Sequence, residues 1–198
     1  IAKDFLNVQD ISVKDMVRRM DITIRSMFVD LLECNSKNKE NLADKIYERD
    51  KDVNRLYFLL MRVIKNAMNN PNIANSINLH GTELLGKWLE IFYLEDIADE
   101  IKRIARFLKE VNLNKKEESV LYELNTDLQK LYLDVRKASY VDDKNLAHEI
   151  SCTYRPKLVD RCNEFFRKGH TPDVGRMLER MKKMVSGIKN LAVIIHDN

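Results

Sequence analysis

The sequence is poor in the residues that build turns. Its 198 residues include only five glycines and three prolines. An all-β protein needs a turn signal every few residues, so this scarcity argues against a β-sandwich or a β-barrel. The length is enough for one large domain or two small ones. With 44% hydrophobic residues the chain can bury a core.

Cysteine, one-sided charge and long apolar runs are scarce as well. Cys34, Cys152 and Cys162 make an odd number without a CxxC spacing, which favours free thiols in the cytoplasm. No apolar run approaches the ~20 residues of a membrane span, and no signal-peptide pattern is present. The net charge of +3 favours neither a nucleic-acid surface nor a membrane surface. The chain begins at Ile1 without Met, which predicts that it is a piece of a longer protein.

Apolar residues recur with helical periodicity along most of the chain. This pattern and its punctuation predict helices over about 12–34, 39–69, 81–111, 117–140, 144–168 and 172–196. The Asn-rich segment 69–78 is predicted to be a loop. Pro156 falls inside the fifth helix and is predicted to bend it, because proline removes a backbone donor and crowds the preceding turn.

A polar break at 112–116 divides the six predicted helices into two sets of three. The sequence Ile101–Ala105 in the third helix resembles Ile188–Ala192 in the sixth, which indicates an internal repeat. We therefore predict an all-α protein of two three-helix bundles, with residues 1–112 in the first and 113–198 in the second.

Two carboxylates continue an apolar stripe of the third predicted helix. Leu85, Trp88 and Phe92 are spaced by three and four residues, and the next positions on that face are Glu95 and Asp99. Residues at these spacings lie side by side on a helix. Carboxylates in line with apolar residues are predicted to be more than a solvated face.

The second predicted helix repeats the pattern with Glu48 and Asp52. If two such pairs lie on neighbouring helices, four carboxylates come close together, and a cation would offset their repulsion. The predicted metal ligands are thus Glu48, Asp52, Glu95 and Asp99. Oxygen ligands alone favour magnesium, calcium, manganese or iron over a thiolate-selecting metal.

A metal-independent alternative stays open, because acidic pairs four residues apart are common in a chain with 31 acidic residues. In this alternative the acidic rows form salt bridges with Arg55, Lys102 or Arg103, and the protein is a helical interaction scaffold. A di-metal enzyme is a third interpretation, but the Glu-x-x-His ligands of di-iron bundles are absent. No nucleophilic triad or phosphate-binding loop is visible, so we predict that the chain is not an enzyme.

The sequence resembles the PhoU family of phosphate-uptake regulators, over nearly the whole chain. The most specific match is LExxxDxxxxIA, which here runs from Leu94 through Glu95 and Asp99 to Ala105. A second match is the ExxxD pattern from Glu48 to Asp52. The opening segment 12–27 is similar to the first helix of archaeal members, in which an AbrB-like DNA-binding segment often precedes the PhoU part.

The resemblance implies two three-helix bundles with metal-binding ExxxD motifs. It also implies a homodimer and a non-catalytic adaptor that contacts a phosphate transporter or a signalling component as a negative regulator. If an AbrB-like segment precedes this chain, it would be the C-terminal part of a transcription regulator. The internal repeat aligns Glu95 and Asp99 with Lys182 and Ser186, so the second bundle is predicted to lack an equivalent metal site.

Overall fold

The chain folds into α-helices joined by short connections. The computed structural model describes residues 12–34, 39–168 and 171–197, and no β-strand occurs within these ranges. The described ranges contain seven helices, which are α1 (Val13–Cys34), α2 (Lys39–Asn69), α3 (Pro71–Ile77), α4 (Thr82–Glu110), α5 (Lys115–Val141), α6 (Lys144–Arg167) and α7 (Pro172–Asp197). The prediction of an all-α protein is confirmed.

The short helix α3 was predicted to be a loop, and this prediction is wrong. Asn70 caps the helix by accepting a hydrogen bond from the amide of Asn72, and Pro71 takes the first helical position. Proline is well suited to that position because its missing N–H would have no partner there. Asn78 ends the helix in a left-handed conformation, which asparagine tolerates better than most residues. The Asn-rich composition thus provides caps at both ends of a helix.

Helices α1, α2 and α4 pack against one another, and α3 lies against α2. The long helices contribute faces of fully buried side chains, such as Met20, Ile24 and Phe28 of α1. An ion pair between Asp30 and Arg49 joins α1 to α2 at the edge of this packing. The first three long helices therefore form the bundle that their periodicity predicts.

Helices α5, α6 and α7 pack together in the same way, and this second group lies beside the first. Helix α4 packs along α7, and α1 packs against α5. The buried residues of both groups join in one continuous hydrophobic core. The division at 112–116 stays a prediction. Helix α6 continues through Pro156 without interruption. The bend at Pro156 stays a prediction.

Candidate functional site

A lysine lies between the acidic side chains of α2 and α4. The Nζ of Lys102 on α4 is 2.8 Å from Oδ2 of Asp50 on α2 and 2.7 Å from Oδ1 of Asp99 on α4. Burial disfavours the charged ammonium, but the hydrogen bonds to both carboxylates outweigh it and raise the pKa of Lys102. Arg103 also contacts Asp99, at 2.7 Å. Lys102 and Arg103 thus place positive charge beside Asp50 and Asp99.

Asp50 was missed by the sequence analysis, although its side chain is the most buried acid of α2, with 3% of the residue exposed. It follows Ile46 by four residues and precedes Val53 by three, and both of these are fully buried. Helical spacing alone therefore places Asp50 on the core face. The ion pairs Asp50–Lys102 and Asp44–Lys109 also show that α2 and α4 run antiparallel.

Glu48 and Asp52 point away from this contact. Their side chains are 67% and 61% exposed, and they pair within their own helix with Lys51 and Arg55. Among the residues that the structure describes, no group of three or more Asp, Glu, His or Cys side chains is arranged to hold a metal ion. The structure thus does not gather the four predicted ligands into one group, and the metal site stays a prediction.

Glu95 is the predicted ligand with the most unusual environment. Its carboxylate is half-buried and has no hydrogen-bond or ion-pair partner among the described residues. Burial is the main cause that raises the pKa of Glu95, and repulsion from Asp99, Asp96 and Asp50 raises it further. The nearby Lys102 partly opposes this shift. As predicted, Glu95 is more than a solvated side chain.

The apolar stripe that leads to Glu95 does not face the core. Leu85 is 53% exposed and Phe92 is 41% exposed, and Trp88 is only partly buried. The core face of α4 is instead formed by the fully buried Ile91, Leu94 and their helical neighbours. Helix α4 therefore carries a second, outward apolar surface.

A second set of charges joins α4 to α7. The Nζ of Lys183 is 2.6 Å from Asp96 and 2.8 Å from Glu100, whose side chain is fully buried. Arg180 lies 3.6 Å from the same glutamate. Lys182, which is aligned with Glu95 in the internal repeat, instead donates a hydrogen bond to Asn163 of α6. Arg180 and Lys183 of α7 therefore form ion pairs with α4 that link the two groups of helices.

Comparison with known protein families gives a match to the PhoU domain over residues 17–108. This part of the chain is a PhoU domain. The match covers α2, α3, most of α1 and most of α4, whereas the resemblance seen in the sequence extended over nearly the whole chain. Comparisons with curated proteins and with solved structures gave no match.

A buried arginine of α5 forms ion pairs with α1 and α4 of the PhoU domain. Arg136 is 1% exposed, and its Nη1 is 2.7 Å from Oε1 of Glu90 on α4, while its Nε lies 3.4 Å from Oδ1 of Asp21 on α1. Asp21 also accepts hydrogen bonds from the hydroxyls of Tyr132 and Tyr140. The sequence analysis missed this network because its members lie on three helices and are separated by 46 to 119 residues in the sequence.

The negative charge of the buried Glu90 is balanced by two cations. The carboxylate of Glu90 accepts from Lys87 at 2.6 Å as well as from Arg136. Burial opposes ionisation of Glu90, but the two cations outweigh it and lower its pKa.

Within the described ranges, none of the helices combines the length and the apolar character that a bilayer crossing requires.

Proposed function

We propose that this chain is a regulatory adaptor that restrains phosphate uptake through contacts with other proteins. The observation that carries the proposal is the PhoU domain at residues 17–108. Its partner would be a phosphate transporter or a component that signals phosphate supply to gene expression. In this proposal the protein works in the cytoplasm, as a homodimer and without catalysis.

The outer surface of the PhoU domain supports a role in protein contacts. Phe58 of α2 is 61% exposed, and Leu85 and Phe92 of α4 are also exposed. Large apolar side chains on an outer surface favour a docking surface for another protein.

Deletion of the gene in its source organism tests the adaptor function. In phosphate-rich medium we expect the deletion strain to take up phosphate faster than the parent strain, and the intact gene to restore restraint. A gene with Phe58→Ser and Phe92→Ser should fail to restore it. Tyr122→Ser is the matched control, because Tyr122 is 48% exposed on α5, outside the PhoU domain. Unchanged uptake and unchanged phosphate-responsive transcripts in the deletion strain would refute the proposal.

Metal binding by the first bundle is a second proposal, and Glu95 is the observation that favours it. A half-buried carboxylate without a partner, beside Asp99, Asp96 and Asp50, is a place where a divalent cation would relieve repulsion. The α4 pair Glu95 and Asp99 fits such a cation. The α2 pair fits less well, since its side chains are exposed and paired within α2. A bound cation would supply charge neutralisation between α2 and α4.

Thermal unfolding with magnesium, calcium, manganese or ferrous iron tests this second proposal. A cation that binds only the folded state raises the melting temperature by mass action. We expect Asp99→Asn to remove that increase. Glu48→Gln shows whether the α2 pair contributes, because Glu48 lies on the exposed face. If none of these metals shifts the parent's melting temperature, the metal-independent scaffold is the better interpretation.

A further inference from the structure

A cavity of about 430 Å³ opens between the start of α1, the segment after α3, and the facing sides of α4 and α5. Aliphatic side chains from α1 and from residues 77–79 are part of its lining. Four basic residues, Lys14, Arg18, Lys87 and Arg136, also line it, together with Glu90 and the polar residues Asn78, Ser139 and Tyr140. The volume is within the range of small-molecule sites. The cavity lies apart from the α2–α4 contact where the metal was predicted.

The charges around this cavity do not balance. Among the described residues that line it, Glu90 is the one acid, and it is already bonded to Lys87 and Arg136. Lys14 and Arg18 have no hydrogen-bond or ion-pair partner for their cationic groups among the described residues. An anion that enters the cavity would therefore meet free N–H donors without having to break an existing ion pair.

One of the cations is held in place by the surrounding structure. Arg136 is 1% exposed, is fixed by Glu90 and Asp21, and lies over the ring of Tyr140 at 5.1 Å from its centroid. Its Nε makes no hydrogen bond in the structure. A guanidinium fixed in advance loses little entropy when it binds an anion. Tyr140 also lines the cavity, and its hydroxyl donates a hydrogen bond to Asp21.

A second cavity of about 550 Å³ adjoins the first and shares Lys14, Arg18 and Tyr140 with it. Arg25 adds a further cation to its wall, and Asp15 and Asp21 are its acids. Asp21 is neutralised by Arg25, at 2.9 Å, and by Arg136. The basic surface thus continues along α1 beyond the first cavity.

We propose that this cavity binds the phosphoryl group of a small phosphorylated molecule or of orthophosphate itself. Tetrahedral oxyanions are bound well by several converging cationic N–H donors, and the aliphatic lining residues would accept an organic substituent. The bound anion would contact α1 and α4 of the PhoU domain as well as α5. This inference goes beyond the proposed function, because it assigns a ligand to the chain whether or not a transporter is its partner.

Calorimetric titration at constant ionic strength tests the proposal with inorganic phosphate and with adenosine monophosphate as probes. Arg18→Gln is the informative variant, and Arg19→Gln is its matched control. Both arginines are exposed neighbours on α1, but only Arg18 lines the cavities. We expect saturable binding of at least one probe to the parent, a loss of about tenfold or more in affinity in Arg18→Gln, and parent-like affinity in Arg19→Gln.

The two probes distinguish the possible sources of the phosphoryl group. Equal affinity for both would identify the phosphate itself as the ligand, and tighter binding of adenosine monophosphate would show that the aliphatic lining residues contribute. No saturable binding of either probe, equal losses in the two variants, or equally tight binding of uncharged adenosine would overturn the proposal. None of these results depends on phosphate uptake in cells, so failure here is distinguishable from failure of the adaptor proposal.

Discussion

Replacing Arg136 by methionine is the strongest test of the contact between α5 and the PhoU domain. Methionine keeps much of the length of the side chain but removes the guanidinium from a position that is 1% exposed. Glu90 then loses a partner at 2.7 Å, and Asp21 loses one at 3.4 Å. Both carboxylates remain buried, and a buried charge without its partner is strongly destabilising.

The size of the effect follows from the partners that remain. Removing one member of a buried ion pair costs about 3–5 kcal/mol. Glu90 keeps Lys87 at 2.6 Å, and Asp21 keeps Arg25 at 2.9 Å. We therefore expect a loss near the lower end, about 3 kcal/mol of unfolding free energy. For a chain of this size that corresponds to a fall of about 6–12 °C in melting temperature.

Urea unfolding monitored by circular dichroism measures this loss. Arg106→Met is the control, because Arg106 is a solvent-exposed arginine of α4 whose side chain is 78% exposed, and it should change stability by less than about 0.5 kcal/mol. In the Arg136→Met background, Glu90→Gln should restore part of the lost stability, since it removes an uncompensated charge. If Arg136→Met is as stable as Arg106→Met, the buried network does not hold α5 in place and the reasoning is wrong.

Three further predictions concern single side chains elsewhere in the chain. The raised pKa of Glu95 means that its ionised form is disfavoured in the folded state, so the contribution of Glu95 to the unfolding free energy should fall as pH rises above about 4.5, the usual pKa of a glutamate. In metal-free buffer Glu95→Gln should therefore be more stable than the parent at pH 7, and the gain should vanish near pH 4 in urea unfolding. A less stable variant at pH 7 would contradict this. Asn114 forms a capping box with Glu117 at the start of α5, so Asn114→Ala should cost about 1 kcal/mol in the same assay, and no loss would show that the cap is dispensable. Cys152 is exposed, whereas burial protects the Cys162 thiol and raises its pKa to about 11. A thiol reagent followed by mass spectrometry should therefore modify Cys152 first and Cys162 only on unfolding, and equal rates would refute the assigned burial.

The sequence alone determined the helices, because helix formation depends on spacings of three and four residues that can be read along the chain. The long helices α2 and α5 begin and end within a few residues of their predicted bounds. Asp50 could also have been found in this way, since it lies in helical register with the buried Ile46 and Val53. Even the short helix α3 has local signals, in the cap residue Asn70 and the proline that follows it.

Only the tertiary structure decided which face of each helix meets a neighbour. Helix α4 carries apolar residues on two sides, and packing against α1, α2 and α7 selected the side of Ile91 and left Phe92 outside. The same packing turned Glu48 outward and brought Lys102 to Asp50. Arg136 contacts Asp21 on α1 and Glu90 on α4, and Glu90 is 46 residues away from it in the sequence. Contacts between residues so far apart depend on how whole helices pack against each other. The spacing of residues within one helix does not predict them.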